Sequence, residues 1–114
     1  MPYLSLQTNQ DLSEEQASAL LPRLSTQLAD LLGKPERYVM VALRPPVPMM
    51  FAGSDAPAAY LELKSIGLPS ADAPALSAEL CALLEETLGI PRDRVYIEFA
   101  DAPRTMWGWN GRTF

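Results

Sequence analysis

An α+β fold made of a duplicated β-α-β unit is what this chain predicts, and three observations carry it. First, Gly33-Lys34-Pro35-Glu36-Arg37-Tyr38-Val39-Met40-Val41 reappears 56 residues on as Gly89-Ile90-Pro91-Arg92-Asp93-Arg94-Val95-Tyr96-Ile97, with Gly, Pro and the paired aliphatic positions in step. Second, Tyr3-Leu4-Ser5-Leu6 is echoed by Tyr60-Leu61-Glu62-Leu63 at an offset of 57. Third, a leucine-rich stretch lies between the paired segments in each half. Matches in the same order at one spacing signal an internal repeat. Two such units joined by right-handed crossovers form one four-stranded mixed sheet with both helices on one face.

The elements follow in order. Leu4 and Leu6 alternate with Ser5 and Gln7, as in a half-buried strand. Ser13 followed by Gln16 is a capping box that starts a helix. Ala17, Leu20, Leu21, Leu24, Leu28, Leu31 and Leu32 form its apolar stripe, and Gly33 with Pro35 closes it. Pro22 conflicts with this helix, because proline removes a hydrogen bond and clashes with the preceding turn; a kink or a late start is expected there. Val39, Val41 and Leu43 make a second strand, stopped by Pro45-Pro46 and Pro48. Leu76, Leu80, Leu83, Leu84 and Leu88 give the second helix, ended by Gly89 and Pro91, and Cys81 reads as a small core residue of it. Val95, Ile97 and Phe99 alternate as the last main strand. One domain over 1–114 is expected, with pseudo-repeats at about 2–45 and 58–100 and a C-terminal strand over 105–114. The sheet face away from the helices is left uncovered, and that points to oligomerisation through the sheets. The apolar tail around Met106-Trp107-Gly108-Trp109 suits either a strand added to a neighbour's edge or a cover for its own core.

Composition bounds the chemistry. The chain has 114 residues, 48% of them hydrophobic, which suffices for one small domain. Its net charge of -5 and lack of a basic cluster argue against nucleic acid and against an anionic membrane surface. No run of about 18 apolar residues is present to span a membrane, and residues 1–9 do not read as a signal peptide. A cytoplasmic protein is expected. A single cysteine rules out an intrachain disulfide framework. Histidine is absent, which removes Ser-His-Asp triads, Cys-His pairs and nearly all zinc sites. No Gly-rich phosphate loop is present. Neither a metal nor a cofactor is expected. Glu14-Glu15 and Glu85-Glu86 read as solvated helix faces.

One source of acid–base chemistry remains open at the start of the chain. Proline follows Met1, and removal of Met1 would expose a prolyl secondary amine. A free α-amino group titrates near 7.7–8.0, the lowest of the ordinary cationic amines. Modest burial therefore makes it a base at neutral pH.

Met1-Pro2, Gln7-Thr8-Asn9, Gly33-Lys34-Pro35 followed by Tyr38, Ser65-Ile66-Gly67, Asp93-Arg94-Val95-Tyr96-Ile97, and Gly108-Trp109-Asn110 with Thr113-Phe114 together resemble the macrophage migration inhibitory factor family of the tautomerase superfamily. The motifs run from the second residue to the last. The resemblance implies a homotrimer whose sheets line a central barrel. It implies keto–enol tautomerisation of phenylpyruvate-like α-keto acids and dopachrome analogues, with Pro2 as general base. By the same likeness Lys34 pairs with the substrate carboxylate, and the Ser65-Ile66 segment binds substrate through the Ile66 backbone. Tyr38, Tyr96, Trp109 and Phe114 form an aromatic wall, with Tyr96 lent by a neighbouring subunit. Cytokine members of the family suggest a signalling or receptor-binding role as the alternative, although no residue of this chain identifies a receptor.

Read without the family, the same residues allow plainer roles. Lys34 past a helix end favours the helix dipole, and Tyr38 and Tyr96 are ordinary strand formers. Trp109 and Phe114 could be core, and Ser65-Ile66-Gly67 a strand end. The chain also departs from the family pattern. Where animal members carry Cys-x-x-Cys it has Ala58 and Leu61, so no thiol–disulfide activity is expected. Glu98 replaces an asparagine, Lys64 a frequent histidine, and Trp107 a small aliphatic residue. An ionised Glu98 in the pocket would raise the amine's pKa and repel an anionic substrate.

Overall fold

The computed structural model describes residues 1–114. The chain runs β1 (Tyr3–Thr8), α1 (Glu14–Leu32), β2 (Met40–Leu43), β3 (Ala59–Ile66), α2 (Ala73–Leu88), β4 (Val95–Ala102), and a terminal pair β5 (Gly108–Trp109) and β6 (Arg112–Thr113). The main sheet has the order β2-β1-β3-β4. β1 pairs β2 in parallel, β3 pairs β4 in parallel, and β1 meets β3 antiparallel at the centre. Each half of the repeat is thus a parallel β-α-β unit, and the two join through their first strands.

The core lies between the sheet and both helices. Leu4, Leu6, Leu61 and Leu63 of the central strands meet Leu20, Leu24 and Leu28 of α1 and Leu76, Leu80, Cys81, Leu83 and Leu84 of α2. Burying such side chains contributes about 1.5–3 kcal/mol each. No helix is long and apolar enough to cross a membrane.

Local signals act as expected at most helix ends. The Ser13 hydroxyl accepts from the Gln16 N–H at 3.1 Å, and the Gln16 side chain accepts from the Ser13 N–H at 3.0 Å. Gly33 (φ 62°) and Gly89 (φ 67°) both end their helices in the left-handed region, which glycine enters without a Cβ penalty.

Two expectations are corrected. α1 starts at Glu14 and continues through Pro22, so no late start occurs. Pro22 is exposed on the outer side, where water can satisfy the freed carbonyl. The expected strand over 105–114 is instead a 3-10 turn at Arg104–Met106 and a β5–β6 hairpin. Asn110 and Gly111, at φ 55° and 75°, form its two-residue turn, the Asn-Gly pair that type I′ hairpins favour. The uncovered sheet face is mixed, with Tyr3, Met40 and Ile66 among polar side chains. It carries Ser5, Gln7, Tyr60, Glu62, Lys64, Tyr96 and Glu98, the polar members of each alternation. Met40 and Tyr96 on that face are exposed, as are Leu31, Met50, Met106 and Trp109 elsewhere.

Candidate active site

Pro2 leads directly into β1 and is fully buried. Its carbonyl accepts from the Met40 N–H at 3.0 Å, which ties the start of the chain to β2. The α1 terminus delivers Lys34 to the same place. The Lys34 N–H bonds the Ala29 carbonyl (3.0 Å) and the Gly33 N–H bonds the Asp30 carbonyl (3.3 Å). This is the Schellman pair of hydrogen bonds, and it fixes the backbone from which the Lys34 side chain departs. The ammonium then reaches the end of β3, where a Cβ on Gly67 would stand 3.7 Å from Nζ. It takes part in none of the chain's salt bridges, so its charge is uncommitted.

The terminal amino group feels this arrangement. Burial, and after it the Lys34 ammonium, hold the Met1 amino group below its ordinary 8.0. Both effects favour the neutral, basic amine.

An aromatic cluster stands beside this end of the sheet. Tyr38, two residues before Met40, points edge-on at Trp109 (5.6 Å) and at Phe114 (5.9 Å). Trp109 and Phe114 are stacked at 5.6 Å. The Phe114 N–H donates to the Trp107 carbonyl at 3.2 Å and so closes the hairpin onto the cluster. Trp107 itself is half-buried. Ser65 is buried, and its hydroxyl donates to the Ile66 carbonyl at 3.1 Å.

Pro2, Lys34 and the Ile66-Gly67 turn thus share one end of the sheet, next to the Tyr38–Trp109–Phe114 cluster. Tyr96 and Glu98 are elsewhere within one chain. Pro2 extends β1 toward Ser65, whose partner in β4 is Asp101, well beyond Glu98. Tyr96 is 66% exposed and packs on Phe51 at 4.6 Å. Glu98 accepts a 2.6 Å hydrogen bond from the Tyr60 hydroxyl, and this bond pushes the phenol up to about 12. Lys64 lies on the open face, 3.7 Å from Glu62.

Several residues that order this region carry no local sequence signal. The Asn9 side chain donates to the Asp55 and Ala56 carbonyls and accepts from the Ala58 N–H. The Thr8 hydroxyl donates to the Ala58 carbonyl at 2.7 Å. Arg94 binds the same segment from the other side. The Gln7-Thr8-Asn9 motif therefore fastens the connection between β2 and β3. The long sequence separation of these partners hides them from any periodicity.

Cavities of appreciable size lie away from Pro2. One of about 270 Å³ runs between α1 and α2 and is crossed by the 2.8 Å Arg23–Glu86 ion pair.

Comparison with known proteins shows what the whole chain is similar to. The family described as macrophage migration inhibitory factor (MIF) matches residues 1–114. A macrophage migration inhibitory factor homolog from Brugia malayi is 40% identical over 115 residues, covering 100% of this chain and 99% of that protein. The macrophage migration inhibitory factor of Mus musculus is 42% identical over 95 residues, covering 82% of this chain and 83% of its own. Among solved structures, a homologue from Prochlorococcus marinus is 46% identical with a TM-score of 0.92, covering 98% of each chain. The Toxoplasma gondii protein is 34% identical with a TM-score of 0.91, covering 98% of this chain and 99% of its own.

Proposed function

Because the chain belongs to the macrophage migration inhibitory factor family, we propose that it is a cytoplasmic keto–enol tautomerase of phenylpyruvate-like α-keto acids and dopachrome analogues, with Pro2 as general base once Met1 is removed. One observation carries the reading: a buried proline at the chain start, beside which burial and Lys34 together lower the Met1 amine. With Met1 attached, the Pro2 nitrogen is a tertiary amide and has no basic lone pair. Freed, it is a secondary amine in the same surroundings.

The chemistry is an isomerisation and needs neither cofactor nor metal. The amine takes a proton from the carbon between the keto group and the aromatic ring. The C–H electrons form the carbon–carbon double bond as the carbonyl π pair moves onto oxygen, and the enolate oxygen takes the proton from the prolinium, which gives the enol and frees the amine. In the reverse direction the prolinium returns the proton to carbon. Lys34 pairs with the substrate carboxylate, the Ile66 backbone hydrogen-bonds the substrate, and Tyr38, Trp109 and Phe114 face its ring. Placing base and substrate together supplies the proximity term, and proton transfer by a positioned base typically adds 10²–10⁴-fold.

The active assembly in this reading is a homotrimer. Met40 on the β2 edge and Tyr96 on the β4 edge are 64% and 66% exposed. Two different surfaces joined head to tail close a ring when the rotation permits. A ring would bring Tyr96, and Glu98 on the same face of β4, toward a neighbour's Pro2. The test is phenylpyruvate turnover by a preparation whose N-terminus is checked by intact mass, together with its mass by light scattering. A processed chain that shows no turnover, or a stable monomer at micromolar concentration, overturns the reading. The signalling alternative draws on the names of relatives rather than on a residue here, and the same assay separates the two.

A further inference from the structure

We propose that Arg94 is a positioning residue that, through Phe51, holds Tyr96 in the orientation it presents to a neighbouring subunit. Phe51 begins a tight two-residue turn. Its N–H and carbonyl exchange hydrogen bonds with Ser54 at 2.9 and 3.0 Å, and Ala52 and Gly53 between them have φ 52° and 72°. An alanine in the left-handed region is strained, so the turn needs support from outside.

Arg94 supplies that support. Its Nε donates to the Pro57 carbonyl (2.9 Å) and Nη1 to the Phe51 carbonyl (3.0 Å). Nη2 donates to the Ser54 (3.1 Å) and Ala56 (3.0 Å) carbonyls. The guanidinium also lies over the Phe51 ring, 5.2 Å from its centroid. The opposite neighbour of that ring is Tyr96, with centroids at 4.6 Å. One side chain thus fixes both the backbone and the ring of Phe51, and the Phe51 ring flanks Tyr96. A planar fork of donors can do this and a lysine cannot. Tyr96 is otherwise 66% exposed, so Phe51 is its aromatic neighbour within the chain.

The catalytic consequence rests on the tautomerase reading, in which Tyr96 serves a neighbour's site. A tyrosine already held in place loses less freedom when substrate arrives. Loosening it weakens substrate binding and leaves the base untouched.

The test uses the full processed chain with 3-fluorotyrosine incorporated, the Tyr96 resonance being identified by its loss in Tyr96→Phe. In the native protein that signal should be shifted from the free-tyrosine position by the adjacent ring. It should move to the free position in Phe51→Leu and in Arg94→Lys. Phe51→Leu keeps the fold if Arg94→Lys does not. An unchanged signal in a folded Phe51→Leu variant overturns the proposal. In parallel, Phe51→Leu should raise the phenylpyruvate KM about tenfold at nearly constant kcat, and should add nothing in a Tyr96→Ala background, as expected of residues acting as one unit. A full, additive effect without Tyr96 would show that Phe51 acts otherwise. Absence of turnover in the native protein would defeat the tautomerase reading alone, since the fluorine signal still decides the positioning.

Discussion

The two halves of the repeat share a backbone and differ in what they place on it. Each helix ends at a left-handed glycine followed by one residue and a proline. In the first half that residue is Lys34, held by the Schellman pair, with its ammonium beside the chain start. In the second half it is Ile90, fully buried in the core. There the Gly89 N–H bonds back to the Glu85 carbonyl at 3.1 Å, the simpler left-handed cap. Four residues further on the contrast repeats. Tyr38 joins the Trp109–Phe114 cluster, whereas Arg94 grips the turn at Phe51. Duplication copied the frame, and the side chains at equivalent points divided the work: one half builds a candidate reaction centre, the other a core contact and a brace.

Exchanging equivalent residues tests that division most severely. Ile90→Lys puts an ammonium where no partner exists, and we expect a loss on the order of 4 kcal/mol or more by denaturant unfolding. A folded variant of near-native stability would mean that the two positions are interchangeable. Next in size is the chain start. A preparation retaining Met1 should lose about 10²–10⁴-fold in phenylpyruvate turnover, the range for loss of a general base. Pro2→Gly should keep part of the activity, because a primary amine remains. Full turnover from a chain shown by intact mass to carry Met1 would remove Pro2 from its role.

Lys34→Ile, which copies the second half into the first, should raise KM about tenfold while stability moves by less than about 1 kcal/mol, the usual worth of an exposed helix-end charge. Its pH profile should shift as well. Lys34 lowers the Met1 amine, and a freed Pro2 amine in the same surroundings should feel the same repulsion; without Lys34 the neutral base should appear only at higher pH, and the acidic limb of kcat/KM should move upward. A large stability loss with unchanged KM would return Lys34 to a capping role.

The glycines offer the converse control. Gly33→Ala and Gly89→Ala each meet open space, so the left-handed φ alone should cost about 1–2 kcal/mol in both. Thermal midpoints should fall alike, by about 4–8 °C per kcal/mol, and activity should change only through Gly33. Unequal losses of stability would break the equivalence of the two frames.

The smallest effect concerns Glu98. Its hydrogen bond raises Tyr60 to about 12, above an unfolded value near 10. The sign follows: the contribution is complete below pH 10 and is lost as pH rises through about 12. Glu98→Gln should bring one of four tyrosines back toward pH 10 in an ultraviolet titration. No change would place the Glu98 carboxylate elsewhere, free to reach a neighbour's site.

Much of the frame was legible in the chain because it is encoded locally. The capping box at Ser13, the glycine stops and the alternation of Leu4, Leu6, Leu61 and Leu63 each involve neighbours within a few positions. The polar residues of the open face were legible too, in Ser5, Gln7, Glu62 and Glu98. The Asn110-Gly111 turn was present in the tail, whose apolar residues suggested a single strand. Of the candidate site, Pro2, Lys34, Ser65 and Ile66 come together at one end, with the Tyr38–Trp109–Phe114 cluster beside it. Trp107 lends that cluster its carbonyl. Tyr96, Glu98 and Lys64 lie on the other face of the sheet. The brace itself could not be read. Arg94 and Asn9 bind carbonyls some 37 to 47 residues away, and no pattern in one sequence announces such partners.

That brace has a consequence for how this segment can change over generations. Arg94 and Asn9 hold the stretch from Phe51 to Ala58 by its main-chain groups and ask nothing of the exposed side chains at Asp55 and Pro57. Those positions are free to drift in sequence while the path of the chain is kept. Much of the segment's path is thus held from outside it, by Thr8 and Asn9 at the end of β1 and Arg94 at the entry to β4, so changes at Asp55 and Pro57 should leave its course intact.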